Sequence, residues 1–133
     1  ARALRPNAEV WTTDICVPVS ALAEAIVTVR NDIDAHGLIA PIAGHVGDGN
    51  FHVLFVLDPA KPEDRILAGQ VYSRMIDHAL ACGGTCTGEH GIGMVKCSSL
   101  LKEHGEEGVA VMRAIKRTLD PLGLMNPGKI FLD

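Results

Sequence analysis

Glycines and ionisable side chains crowd together in two short stretches of this 133-residue chain, and chemistry is to be sought there first. Eight of the 14 glycines fall in residues 44–49 and 83–93, alongside His45, Asp48, Glu89 and His90. Glycine beside such groups lets the backbone approach a ligand closely. Either stretch alone could be an ordinary tight turn, since loops often combine glycine with polar residues. His45 and His52 flank Val46-Gly47-Asp48-Gly49. If that tetrapeptide closes a hairpin, the two imidazoles converge over it and can serve one metal ion. Glu89 is the third candidate, because two histidines and a carboxylate with a position left open form a common catalytic set for zinc and related ions. The competing explanation is that the histidines are hydrogen-bonded filling at an interface. His36, His78 and His104 stand beside Gly37, Asp77 and Gly105, where a capping or solvated role is the plainer one.

The elements that must position these groups can be read from periodicity. Residues 10–17 are rich in β-branched side chains and stop at Pro18, which predicts a strand. Ser20 then caps a helix whose stripe is Leu22, Ile26, Val29 and Ile33, ending at His36-Gly37. Strands over 38–45 and 50–57, joined by residues 46–49, predict an antiparallel hairpin with Asp48-Gly49 in its turn. On the second strand His52 shares a face with Asn50, Leu54 and Val56, opposite Phe51, Val53, Phe55 and Leu57. A second helix begins at Pro62-Glu63-Asp64, carries Leu67, Val71, Met75 and Ala79, and ends at Gly83-Gly84. A short strand over 85–89 completes the order βαββαβ, so the fold class expected is α+β, a ferredoxin-like antiparallel sheet with an added C-terminal helix. That last helix, over about 106–119, carries Val109, Met112, Ile115 and Leu119. In the usual ferredoxin-like order the fourth strand lies two strands from the third, roughly 10 Å away. Glu89 must then reach the histidines from a loop beyond the strand end, which Gly88 and Gly91 permit.

Composition sets outer bounds. A 47% hydrophobic content suits one globular domain spanning 1–133. Twelve basic against 16 acidic residues give a net charge of −4, which offers no electrostatic support for nucleic-acid binding. Apolar runs are too short for a membrane span. The four cysteines, Cys16, Cys82, Cys86 and Cys97, are read as reduced thiols, since a chain with a full apolar core needs no disulfide.

Three blocks carry a resemblance that covers nearly the whole chain. They are Gly44-His45-Val46-Gly47-Asp48-Gly49-Asn50-Phe51-His52, the run Thr85-Cys86-Thr87-Gly88-Glu89-His90-Gly91-Ile92-Gly93-Met94-Val95-Lys96, and the ending Leu119-Asp120-Pro121-Leu122-Gly123-Leu124-Met125-Asn126-Pro127-Gly128-Lys129. Their order resembles the C-terminal domain of FAD-linked oxidases, a family that includes D-lactate dehydrogenases, the glycolate oxidase flavin subunit and D-2-hydroxyglutarate dehydrogenases. Trp11-Thr12-Thr13-Asp14-Ile15-Cys16-Val17-Pro18 and the Thr-Cys-Thr before Gly88 resemble the cytochrome-linked D-lactate dehydrogenase branch. Hydroxyglutarate enzymes tend to carry a lysine where Thr12 stands, so its absence favours a monocarboxylate such as lactate.

The resemblance implies a substrate-side domain of a flavoenzyme that oxidises D-lactate or a related D-2-hydroxy acid to the 2-oxo acid. It implies that His45, His52 and Glu89 bind a divalent metal, zinc or manganese, that His90 is the base beside the flavin, and that Asn50 lines the substrate pocket. Such a base works near neutral pH while the C2 hydrogen leaves as hydride to FAD. The FAD itself is expected on an N-terminal domain upstream, because no glycine-rich pyrophosphate loop precedes Val10, and these 133 residues alone are expected to be inactive. Asn126 and Lys129 are expected to return towards that flavin domain, although a simple helix-stop tail also explains them. Implied partners are the N-terminal FAD domain and an electron acceptor such as cytochrome c, a quinone or an electron-transferring flavoprotein. The implied location is intracellular, cytoplasmic or, in a eukaryote, mitochondrial, with peripheral attachment to the inner membrane as one option. Two rival readings use the same residues: a ferredoxin-like small-molecule-binding or regulatory module, and a zinc hydrolase in which His90 assists a water.

Overall fold

The strand predicted over 10–17 forms as two pieces, β1 (Glu9–Thr12) and β2 (Ile15–Cys16), in the computed structural model, which describes residues 3–131. Both pair antiparallel with one partner, β4 (Asn50–Leu57), in a single continuous register: Thr12 faces Leu54 and Ile15 faces Phe51. No residue is inserted between the pieces. At the break, Thr13 N–H still donates to Val53 O at 3.0 Å, but Val53 N–H donates to the Thr13 hydroxyl at 2.9 Å instead of to its carbonyl. One side-chain substitution in the ladder thus turns the Thr13 carbonyl to other use.

On its other edge β4 pairs with β3 (Ile42–His45), and Ala43 lies opposite His52 while His45 lies opposite Asn50. The hairpin turn is a 3-10 turn over Val46–Asp48 closed by Gly49 at φ 73°. A Cβ on Gly49 would sit 2.0 Å from the Val17 carbonyl oxygen, so both its left-handed backbone and its contact with the segment after β2 require glycine. Leu54 N–H and Val56 N–H donate to Pro41 and Ile39 carbonyls, which extends the pairing before β3 proper.

Helices α1 (Leu22–Ala35) and α2 (Pro62–Ala81) follow the predicted pattern. α1 buries Leu22, Ala25, Val29 and Ile33, and α2 buries Ala68, Val71, Tyr72, Met75, Ile76 and Ala79. α2 packs on β2, β4 and α1, with Pro62 at its first turn and Glu63 and Asp64 at the positive end of its dipole. Ile15, Phe51, Val53 and Phe55 are at most 1% exposed and form the centre of the core. Burying each such side chain is worth about 1.5–3 kcal/mol. Arg74 on α2 clasps Asp32 on α1 through Nε at 2.8 Å and Nη2 at 2.9 Å.

Across the sheet the order is residue 85, β1/β2, β4, β3, the ferredoxin-like arrangement. Its fourth strand is reduced to one bridge, in which Cys16 and Thr85 exchange two backbone hydrogen bonds of 3.2 and 2.8 Å. Beyond Thr85 the backbone turns away because its donors go to a carboxylate, described below, instead of to a strand. The fold is thus α+β, with a small antiparallel sheet and a C-terminal helix.

The chain divides into two compact units, Ala1–Glu89 and His90–Asp133. The second is built on α3 (Cys97–Leu119), which is broken at Gly105, where φ 68° and ψ 173° are non-helical; the part after the break is the helix predicted over about 106–119, and the helical residues 97–104 before it were not predicted. Of its expected stripe, Val109 is buried and Met112 half-buried, whereas Ile115 and Leu119 are exposed. After α3, Asp120 organises the tail: it pairs with Lys116 and accepts the Leu124 and Met125 backbone N–H groups at 2.9 Å. No disulfide links any of the four cysteines. Among the described residues no helix is long and apolar enough to cross a membrane.

Candidate metal centre

Register alone brings the histidines together at the hairpin end of the sheet, because His45 closes β3 while His52 is the third residue of β4. Their rings meet edge to face with centroids 6.1 Å apart. Glu89 reaches both: Oε1 lies 2.9 Å from His52 Nε2 and Oε2 lies 3.6 Å from His45 Nε2. One donor atom from each of the three falls within 4.8 Å of the others. His45 and Glu89 are exposed, whereas His52 is 9% exposed.

The other nitrogen of His52 settles which one can face an ion. Nδ1 lies 2.9 Å from the Thr13 carbonyl, the oxygen released at the β1–β2 break. A carbonyl only accepts, so Nδ1 carries the proton and, in the neutral ring, Nε2 carries the lone pair. Metal-binding histidines are oriented in just this way by a carbonyl or carboxylate on the far nitrogen. Zinc with arms of about 2.0–2.1 Å separates tetrahedral ligands by about 3.4 Å, which lies between the two observed contacts. Two imidazoles and a carboxylate at these separations fit a divalent ion.

Beneath the triad lies a residue the sequence reading gave no role. Asp14, 1% exposed, stands opposite His52 in the β1/β2–β4 register. Its oxygens accept hydrogen bonds from Asn50 Nδ2 at 2.8 Å, Thr87 Oγ1 at 2.8 Å, Gly88 N at 2.9 Å and Glu89 N at 3.1–3.2 Å. The signal was available: a carboxylate within a β-branched run destined for the interior must find donors. Gly88 is required by contact, because a Cβ there would sit 1.8 Å from Asn50 Nδ2. Asn50 itself is 5% exposed, its Nδ2 donates to both Asp14 and the Ile15 carbonyl, and its Oδ1 is buried without a partner.

Cys16 lies nearby but is no ligand in this arrangement. Its thiol donates to the Asp48 carbonyl at 3.2 Å, and burial, with the charges of Asp14 and Asp48, raises its pKa and keeps it protonated. The remaining predicted residues belong to the second unit. His90 follows Glu89 in the chain and is exposed. Asn126, at φ 45°, and Lys129 line a cavity of about 450 Å³ with Met112, Ile115, Lys116 and Phe131.

A ferredoxin-like sheet with a two-histidine, one-carboxylate cluster at its hairpin end defines the class, and the chain belongs to the family of FAD linked oxidases, C-terminal domain, whose model matches residues 1–130. Among curated proteins it is 48% identical over 130 residues to a probable mitochondrial D-lactate dehydrogenase of Danio rerio, covering 98% of this chain and 26% of that protein. It is 44% identical to a mitochondrial D-lactate dehydrogenase (cytochrome) of Kluyveromyces lactis, covering 98% and 22%. A glycolate oxidase subunit of Bacillus subtilis is 35% identical over 118 residues, covering 89% and 25%. The chain therefore spans about a quarter of the length of these relatives.

Proposed function

We propose that this chain is the substrate-side domain of an FAD-dependent dehydrogenase that oxidises D-lactate or a similar D-2-hydroxy acid, and that His45, His52 and Glu89 hold a divalent metal, zinc or manganese, in it. The observation that carries the metal reading is the contact of His52 Nδ1 with the Thr13 carbonyl at 2.9 Å, which leaves Nε2 facing the space shared with Glu89 and His45. The names of the relatives, D-lactate dehydrogenases and a glycolate oxidase subunit, support a 2-hydroxy acid as substrate. When bound, the metal would supply a positive charge that favours the ionised hydroxyl and fixes the carboxylate of such a substrate.

The residues of the chain divide the remaining work. His52, nearly buried, sets the inner wall, and the more exposed His45 and Glu89 leave the solvent side open for substrate. Asn50, whose Oδ1 is buried without a partner, is proposed to line the substrate pocket. His90 is proposed as the base that takes the hydroxyl proton near neutral pH, and FAD, held by an upstream domain, as the group that accepts the C2 hydride. Asn126 and Lys129 are proposed to face that domain. Electrons then pass to an external acceptor, for which cytochrome c is the first candidate on the name of the Kluyveromyces relative; a quinone and an electron-transferring flavoprotein are the others. A mitochondrial location is proposed on the names of the relatives.

Anaerobic mixing of the full-length protein with D-lactate tests the proposal. Bleaching of the flavin band by D-lactate and not by L-lactate, lost on chelation and restored by zinc or manganese, is the expected result. Flavin that stays oxidised with every D-2-hydroxy acid tried, or ester or amide hydrolysis without flavin, would replace this reading with that of a binding module or a hydrolase.

A further inference from the structure

We propose that Asp14 is the positioning residue of this site: its buried carboxylate gathers the Thr87 hydroxyl and the Gly88 and Glu89 backbone amides, and so fixes the loop that presents Glu89 to the two histidines. The inference rests on the metal-centre reading above and deepens it.

Glu89 comes from the far side of the sheet, one strand beyond β1/β2, and nothing in a single bridge at Thr85 dictates where residues 87–89 go. Asp14 supplies that instruction. Oδ2 accepts Thr87 Oγ1 at 2.8 Å and Gly88 N at 2.9 Å, while Glu89 N lies 3.2 and 3.1 Å from Oδ1 and Oδ2. Successive N–H groups converging on one anion make a nest, a rigid arrangement for a short glycine-bearing loop. Pinning its nitrogen fixes where the Glu89 side chain starts, and its Oε1 lands 2.9 Å from His52 Nε2. The same turn of chain controls the other partner, since Thr13 O holds His52 Nδ1 at 2.9 Å. Two adjacent residues in the gap between β1 and β2 therefore orient two of the three donors, one through a carbonyl and one through a carboxylate. Asn50 Nδ2, at 2.8 Å from Oδ1, keeps that carboxylate from turning.

The test uses the full-length protein and two readouts. Asp14→Asn keeps the shape but sets an amide against the Gly88 and Glu89 N–H groups. At a temperature where circular dichroism shows the variant folded, hydrogen exchange in a peptide spanning residues 85–90 should quicken by at least about tenfold. Affinity for cobalt(II) or zinc(II) should fall by about 10–100-fold. A folded Asp14→Asn protein with exchange at the parental rate overturns the proposal, as does parental affinity where the parent binds metal. If the parent binds no metal but exchange quickens as expected, the metal reading fails while Asp14's hold on the loop stands. If Asp14→Asn does not fold, Thr87→Val decides, because it removes one donor and leaves the carboxylate in place. A rise in exchange of about threefold or more supports the role, and no rise overturns it.

Discussion

His52 can present only one nitrogen to an ion, because the Thr13 carbonyl occupies the other, and this makes its neighbours separable by experiment. Glu89→Gln keeps the size of the side chain but removes the charge that a divalent ion requires, so the full-length variant should lose most of its metal. His90→Asn should keep the metal and much of the substrate affinity while flavin reduction slows by about 10²–10⁴-fold, the usual worth of a positioned base. Metal content and stopped-flow flavin reduction on the same preparations check both outcomes. A His90→Asn protein that loses its metal, and recovers near-normal reduction with excess metal, would make His90 a support of the metal site instead of the base. At this scale the sequence was informative about type and poor about support. His45, His52 and Glu89 announce themselves by residue type, and the structure gathers them. Thr13 acts through its main chain, which residue type does not reveal; Asp14 signals by its type that a buried carboxylate needs donors, but which donors it finds depends on a register that only pairing reveals.

Elements were legible where a period could be counted. α1, α2 and the β3–β4 hairpin follow from the spacing of their apolar residues and from Asp48-Gly49. The strand expected over 85–89 shrank to one bridge because Asp14 competes for its donors, a tertiary contact that no local pattern contains. In α3 the period named a side but not its cover, and Ile115 and Leu119 remain exposed. The end of α3 depends on a charge. The Lys116 ammonium, with the Met125 and Leu124 N–H groups, holds the Asp120 carboxyl below its ordinary value of 3.8. A carboxyl depressed in the folded state stabilises above its unfolded pKa and loses that contribution as pH falls through the folded one. Asp120→Asn should therefore speed amide exchange at Leu124 and Met125 near pH 7, and the gap from the parent should close as the solution is acidified below 3.8 towards the folded value. A gap that persists once the parental carboxyl is fully protonated would show that the clasp acts by shape and not by charge.

The whole chain separates into two units, and the three proposed ligands with their two supports lie in the first, Ala1–Glu89. Composition lent no electrostatic support to a nucleic-acid partner but could not foresee that division, because it depends on where contacts cluster in space. The contacts that make the site are distant along the chain: Asp14 meets Glu89 across 75 positions and Thr13 meets His52 across 39. Such contacts form only after intervening elements have been ordered, since the entropy of closing long loops must be met before the contact rewards it. The site is therefore expected to form late in the folding of this unit. An ion held there would find no purchase on the transition state for folding and could act only on the finished structure. Stopped-flow refolding and unfolding of the full-length protein in graded denaturant should show cobalt(II) or zinc(II) leaving the refolding limb where it was and slowing the unfolding limb alone. The metal would thus work as a latch that engages after the door has closed, lengthening the life of the native state without shortening the path to it.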